Sequence, residues 1–337
     1  MKRTVFISIL VLVSFAFVFS SLDVTAANIS SIVQKARTQK GSKTITCSPN
    51  GEKEGTVSLE EGMKELRSGM VLHLLPGYYN PKELIMIEQN NVIIEGDGSG
   101  GECRLPMVIY GKDCIVRNIH LRWLEAGDIT VVDTKAWNIA ITNGGKKIEV
   151  VIFNTIARSL SIYADKSDIT ISESSILQSY LPKEGGEVDA AWRYNTSIHG
   201  SYYTIIASGN MEKKGNVTFE KCILYSNSGI FSVPANSKLI DITFDGNIIF
   251  FKKNLAMTKE KTVNDLKDLK DFFGVKLKGD NIVKEPIFLK TPDIKSHWQL
   301  NTDTLTLKEG SPGYGKGIGA NMGPKNVPVP KVVEEKK

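Results

Sequence analysis

An apolar pair spaced two residues apart recurs along this chain, often with Asn or Asp before it and a small polar residue after it. It reads Asn91-Val92-Ile93-Ile94-Glu95-Gly96, Asn138-Ile139-Ala140-Ile141-Thr142-Asn143, Asp168-Ile169-Thr170-Ile171-Ser172, Asn216-Val217-Thr218-Phe219-Glu220 and Asp241-Ile242-Thr243-Phe244-Asp245-Gly246, with a weaker copy at Cys114-Ile115-Val116-Arg117-Asn118. Anchored on their first apolar residue, the copies begin at 92, 114, 139, 169, 217 and 242, in steps of 22, 25, 30, 48 and 25. The longest step is about two units. A period of roughly 20–30 residues is a solenoid signature. Alternation at every second residue makes each unit a strand rather than a helix. Strands stacked at that period wind into an all-β parallel β-helix.

The ends of the chain read differently. A basic head, Met1-Lys2-Arg3, precedes an apolar run from Val5 to Phe19 that is too short to span a membrane comfortably. Small residues at Val24-Thr25-Ala26 place a signal-peptide cleavage after Ala26, so the expected protein is secreted, extracellular or periplasmic, with no membrane segment once cleaved. Residues 27–55 form a polar lead-in, 56–324 the β-helix domain, and 325–337, with Pro328 and Pro330, a disordered tail. The net charge of +5, largely from Lys pairs such as Lys146-Lys147 and Lys213-Lys214, suits an anionic glycan but equally a scattered solvated surface. No Arg-rich stripe or aromatic motif points to nucleic acid. Four cysteines (Cys47, Cys103, Cys114, Cys222) allow three pairings, and Cys114 and Cys222 sit in the apolar phase of strands.

Two local helices interrupt the strands. Ser58-Leu59-Glu60-Glu61-Gly62-Met63-Lys64-Glu65-Leu66 carries a capping box between Ser58 and Glu61, and its Leu59/Met63/Leu66 stripe suits a cap over the open end of a solenoid. Residues 258–274 present Val263, Leu266, Leu269, Phe272 and Phe273 on one stripe and stop at Gly274, a short helical insertion near the C-terminus. Within the coils the expected inward residues include Val92, Ile94, Val116, Ile119, Ile139, Ile141, Ile171, Phe219, Ile223, Phe244 and Ile248. Asn118, Asn143, Asn154 and Asn247 fall near strand ends, where buried amides stack in ladders. The pair at 150/152 follows 139/141 so closely that it reads as a second face of one coil. Residues 178–203 read as a long polar, aromatic loop insert.

Ser58 to Leu75-Pro76-Gly77-Tyr78-Tyr79, together with Asn281 to Phe288 and the closing Gly310-Ser311-Pro312-Gly313 and Gly317-Ile318-Gly319-Ala320, resembles exported right-handed parallel β-helix proteins of the pectate-lyase-like superfamily. The resemblance covers roughly residues 56–324 and implies a right-handed parallel β-helix. That group includes polysaccharide lyases and members without identified activity. No lyase family's signature strand is present, nor the clustered Asp residues of the related pectin hydrolases.

The sequence offers two candidate sites. In the 178–203 stretch, Trp192, Tyr194 and Tyr202 offer flat faces for sugar rings, Lys183, Arg193 and His199 offer cations for uronate carboxylates, and Glu184, Glu187 and Asp189 offer hard oxygen ligands for Ca²⁺. On the strand Arg117-Asn118-Ile119-His120-Leu121-Arg122, the outward Arg117, His120 and Arg122 would form a cationic track, extended by Arg158 and Lys146. A β-elimination would need a base, Arg193 or Lys183, and an acid, Tyr203 or His199. His73 and His297 read as structural. The function expected is a monomeric protein that binds an acidic, uronate-containing polysaccharide, with cleavage by β-elimination as one outcome. A non-catalytic surface or matrix solenoid is the alternative. A glycoside hydrolase is the weaker third, because Glu184, Glu187 and Asp189 all share one loop.

Overall fold

The computed structural model describes residues 28–77, 79, 81, 84–97, 102–142, 147–164, 166–181, 187–199, 204–206, 216–233, 242–292, 300 and 302–320, with backbone alone at 102–105, 187, 198–199 and 302–303. Residues 1–26, read above as a signal peptide, and 325–337, read as a tail, lie outside these residues. Two units divide at Lys40. The first shows a helix over 28–38. The second is the solenoid.

Parallel strands stack into three sheets. Among the described residues sheet A has eleven strands, from Thr44–Cys47 to Lys276–Lys278; sheet B has ten, beginning at Ile85–Ile87; sheet C has four, beginning at Thr196–His199. Every pairing between them is parallel except Asn254–Met257 against Thr262–Val263. This is the all-β right-handed parallel β-helix. Its axis is visible in one interior column of sheet A, which runs Ile45, Leu72, Ile94, Val116, Val131, Ile152, Ile171, Trp192, Phe219, Phe244 and Leu277 in register. Adjacent members lie between 15 and 33 residues apart in sequence, so the coils differ widely in length.

Each coil turns from sheet A into the next sheet through a two-residue corner. The first corner residue is left-handed at Asn118, Asp133, Asn154, Glu173, Tyr194 and Lys221, and a glycine takes the position at Gly246. Asn and Asp tolerate that region, while Glu173, Tyr194 and Lys221 are held there against preference. The second corner residue is buried; after Asn118 it is Ile119, and at the other corners it carries a polar group: Thr134, Thr155, Ser174, Asn195, Cys222 and Asn247. Their hydroxyls and the Cys222 thiol donate to the carbonyl two residues back, as in Thr134 to Val132 at 2.9 Å and Ser174 to Ser172 at 2.8 Å. Where the residue is Asn, its amide reaches the preceding coil instead. Asn195 donates to the Ile171 carbonyl and accepts from the Ser174 N–H. Of the four residues expected to form an amide ladder, Asn247 does so, with Asn195 and Asn281 as further rungs; Asn118 takes the left-handed first corner position instead, and Asn143 lies outside the described residues. Asn154 stands one position earlier, where its Nδ2 donates to Asp133 Oδ1 at 2.5 Å.

The cap over the first coil forms as its sequence directs. The helix Leu59–Glu65 begins at Ser58, whose Oγ accepts from Glu61 N–H while Glu61 accepts from Ser58 N–H at 3.0 Å. Gly62 faces the core end, where a Cβ would stand 2.5 Å from Cys47 Sγ. Only glycine lets the helix lie this close to Cys47 and Leu72. Tyr79 is buried, and its hydroxyl donates to the Cys47 and Leu75 carbonyls at 2.8 and 2.7 Å, tying the turn after the strand Val71–Leu74 to the first rung.

Several expectations change. The lead-in contains the helix over 28–38 and the first strand of sheet A. The 150/152 pair belongs to sheet A of the next coil, whereas 139/141 lies in sheet B. The stretch read as an insert supplies Glu187–Arg193, paired in register between Lys166–Ser172 and Val217–Glu220 in the middle of sheet A. The second helix is shorter than its pattern, Leu266–Phe273, capped by Asp265 and by left-handed Gly274; Phe272 is exposed and Val263 is in a strand. Ile223 and Ile248 are buried, but beneath Phe288, Leu305, Leu307 and Ile318 of the C-terminal segment rather than in the solenoid interior. Cys47, Cys114 and Cys222 are free buried thiols, so none of these three enters any of the possible pairings. Burial pushes the Cys47 and Cys222 thiols up to about 12 and Cys114 to about 11, which makes them core groups without thiolate reactivity.

Candidate functional site: the outer face of sheet B

The residues proposed from sequence do not gather in one place. Lys183, Glu184, Tyr202 and Tyr203 lie outside the described residues, as do Lys146 and His297. Glu187 and His199 are placed by backbone alone, at the start of one sheet A strand and the end of a sheet C strand. Trp192 is 1% exposed and stacks on Phe219 at 4.9 Å, so it is a core residue and offers no face to a sugar. Arg193 points out of sheet A but is paired with Glu220, Nε to Oε2 3.1 Å. A guanidinium held by a carboxylate is not a base. Tyr194 occupies a left-handed corner with the Lys221 ammonium 5.6 Å above its ring. Asp189 accepts from the Asn216 backbone and side-chain amides at 2.9 and 3.2 Å. Among the described residues no group of three His, Cys, Asp or Glu side chains is arranged to hold a metal ion.

The cationic track is also divided. Arg117 and Arg122 lie on different sheets, separated by the corner at Asn118. Arg117 is buried on sheet A, where its Nε donates to Glu95 at 2.8 Å, and Glu95 also meets His73 Nδ1 at 3.2 Å. His73 is thus half-buried and engaged by a carboxylate of the next coil. His120 is 2% exposed, in register with the equally buried Lys135, whose ammonium burial pushes down to about 8. Of Arg117, His120 and Arg122, only Arg122 is exposed, and Arg158 of the extended track is exposed with it.

The contacts of His73 and then Arg117 hold the Glu95 carboxyl below its ordinary range. A depressed carboxylate pKa means that Glu95 adds stability above the unfolded value of about 4.3, and loses it as pH falls through the lower folded value. Glu95→Gln is therefore expected to flatten the acid limb of a melting-temperature profile between about pH 5 and 3. An unchanged limb would show that the pair contributes nothing.

Arg122 leads to the constellation that sequence reading missed. Strands of sheet B bend where two consecutive side chains face outward. Leu121 and Leu124 point in, and Arg122 and Trp123 point out between them. The next coils repeat the bend with Trp137-Asn138 and Arg158-Ser159. The register Leu121↔Ala136, Trp123↔Asn138 and Ala157↔Ala136, Asn138↔Ser159 puts Arg122, Trp137 and Arg158 in one column. Trp123, Asn138, Ser159 and Gln178 form the column beside it.

The Arg158 guanidinium sits 5.1 Å over the Trp137 ring, a cation–π contact that holds both side chains flat against the sheet. Asn138 Oδ1 accepts from the Ser159 hydroxyl. Tyr180 donates to Gln178 Oε1 at 2.9 Å, extending the polar row. Trp123 is 38% exposed, and neither Arg122 nor Arg158 has a carboxylate partner among the described residues. Glu125 borders the face on the same strand as Trp123. Leu177, which ends the arginine column, is covered by Leu300. The two faces thus differ in kind. Among the described residues, sheet A pairs Arg117 with Glu95 and Arg193 with Glu220, while sheet B presents Arg122 and Arg158 without a carboxylate, the exposed Trp123 and a row of amide and hydroxyl groups.

No family model matches the chain, and no curated protein or solved structure matches it either. The architecture defines its class, a parallel β-helix, and the function rests on the site alone.

Proposed function

We propose that this is an exported solenoid that binds an acidic, uronate-containing polysaccharide along the outer face of sheet B. The observation that carries the reading is the column Arg122–Trp137–Arg158 with exposed Trp123 beside it. Parallel strands are spaced about 4.8 Å apart, so Arg122 and Arg158, two strands apart, stand roughly 10 Å from each other along the axis. That matches the advance of about two sugar units in an extended chain. Each arginine can take a carboxylate bidentately, and the exposed Trp123 supplies an apolar face for the C–H side of a ring. Asn138, Ser159 and Gln178 supply hydroxyl partners.

Binding without cleavage is the reading the described residues favour. Arg193, the one described candidate base, is ion-paired on sheet A, around the corner from this face. The test is electrophoretic retardation of the full chain in gels containing polygalacturonate, alginate or chondroitin sulfate, alongside absorbance in the unsaturated-uronate band. Retardation by at least one polyanion, weakening with added salt, is expected with a flat absorbance trace. The double substitution Arg122→Ala/Arg158→Ala should weaken binding by about tenfold or more, two charge-assisted contacts being lost. Trp123→Ala should weaken it without changing the melting temperature. Retardation indifferent to all three substitutions would move the site elsewhere, and growing absorbance would make the protein a lyase.

A further inference from the structure

A cavity of about 570 Å³ lies away from sheet B, between sheet C and the C-terminal segment, lined by Tyr225, Asn227, Lys252, Glu285, Phe288, Pro292 and their neighbours. Tyr225 projects from the outer side of the strand Ile223–Ser226, its ring 5.0 Å from Phe250 and 6.3 Å from Phe288. Its hydroxyl reaches Glu285 Oε1 at 3.4 Å. The wall opposite is held in place by Ser311, whose Oγ accepts from the Ile287 N–H at 2.8 Å, and by Phe288 pairing with Leu307. Asn227 Oδ1 is shielded from solvent and has no hydrogen-bond partner among the described residues.

The volume falls in the range of small-molecule pockets. We propose that this cavity is a second glycan site, taking one sugar ring or a disaccharide end, with the ring's C–H face on Phe288 and Tyr225 and its hydroxyls on Asn227 and Glu285. The lining argues for such a ligand. A wholly apolar molecule would strand Lys252, Glu285 and Asn227. A phosphate or other dense anion would face Glu285, and a simple ammonium would face Lys252. A ring with hydroxyls around its edge and apolar faces satisfies both halves of the lining, and a uronate carboxylate additionally meets Lys252. The site shares no residue with the sheet B face and does not depend on it.

The test is a calorimetric titration of the full chain with D-galacturonate and with D-galactose. Saturable binding of galacturonate to one site is expected, with a Kd on the order of 1 mM. Lys252→Glu should weaken galacturonate about tenfold and galactose much less. Glu285→Ala should weaken both. Lys252 and Glu285 are exposed, so neither substitution threatens the fold. Trp123→Ala should leave both titrations unchanged, and Lys252→Glu should leave polygalacturonate retardation intact, which separates this site from the face of sheet B. No saturable binding of either sugar, or binding indifferent to Lys252→Glu and Glu285→Ala, would overturn the proposal. Retardation on polygalacturonate with no monosaccharide binding would overturn it while leaving the sheet B reading standing.

Discussion

Trp192→Ala is expected to cost about 3–5 kcal/mol of stability and to lower the thermal midpoint by several degrees or more, because the indole fills the interior where the solenoid changes cross-section. Before Trp192 the axial column of sheet A is aliphatic, ending at Ile152 and Ile171. From Trp192 to Phe244 it is aromatic, Trp192 stacking on Phe219 at 4.9 Å and Phe219 meeting Phe244 edge-on at 5.4 Å, before Leu277 ends it. The same coil is where sheet C begins, at Thr196–His199. A coil with three sheets encloses more space than one with two, and larger side chains fill it. Ala190, two residues before Trp192 on the same strand and also inward, leaves room for the ring. Truncation to Ala would open a cavity that neighbouring coils, fixed by their own hydrogen bonds, cannot close.

A second variant isolates packing from polarity at the same position. The Trp192 Nε1–H is buried with no partner among the described residues. Trp192→Phe removes that orphan donor along with part of the ring, so the two changes offset and the cost should stay within about 1 kcal/mol. Circular-dichroism melting of both variants checks the pair. A Trp192→Ala protein that melts like the wild type but no longer binds glycan would return the residue to the surface.

The sequence displays the strand period clearly, but the phase of the coils is hidden in it. Both sheets bury every second residue, so Ile139 and Ile141 in sheet B carry the same pattern as Ile169 and Ile171 in sheet A. The coil holding Asp128-Ile129-Thr130-Val131 follows its predecessor by only 15 residues and was absorbed into its neighbours. Asp189-Ala190-Ala191-Trp192 is a full rung whose alanines lack the β-branched look of a strand, so the aromatic and charged residues around it read as a loop. Trp192, the most conspicuous aromatic there, reads as a sugar platform for that reason.

The sheet B face was illegible for a second reason. Arg122, Trp137 and Arg158 are separated by 15 and 21 residues, and only the register stacks them. The bend that turns two consecutive side chains outward also breaks strict alternation, hiding Trp123 beside Arg122. Arg122 and Arg158 were within reach of sequence reasoning as exposed cations on a strand. Arg117 and His120 were not separable from them, because nothing in one strand announces the corner at Asn118 or the Glu95 partner one coil away. Asn247 was recognisable as a ladder residue because an Asn after a glycine at a strand end has few other uses in a coil.

Asn247→Leu is expected to destabilise the protein by about 2 kcal/mol or more, since one side chain satisfies two buried backbone groups and a half-buried amide. Its Oδ1 accepts from the Cys222 N–H at 2.8 Å, and its Nδ2 donates to the Phe219 carbonyl at 2.8 Å and to Asn281 Oδ1 at 3.0 Å. Leucine is close to asparagine in reach but leaves the Cys222 N–H and the Phe219 carbonyl without this partner, at about 1–3 kcal/mol for each buried group, while Asn281 Oδ1 keeps the Asn247 backbone N–H at 3.0 Å. The damage should be local at first, because a coil touches only its neighbours. Amide exchange at Cys222 should accelerate before that of Leu121 or Ile152, many coils away. Asn247→Asp tests the donor separately. A carboxylate keeps the Cys222 bond but cannot donate to Phe219, and burial raises its pKa. A raised folded pKa gives stability that is present below the unfolded value of about 3.9 and lost as pH rises through the folded one. Asn247→Asp should therefore lose more stability at pH 7 than at pH 4 relative to wild type, while Asn247→Leu should show no such trend. Equal losses at both pH values for the Asp variant would mean that the Phe219 carbonyl finds another donor, and that the amide column is not what fastens one coil to the next.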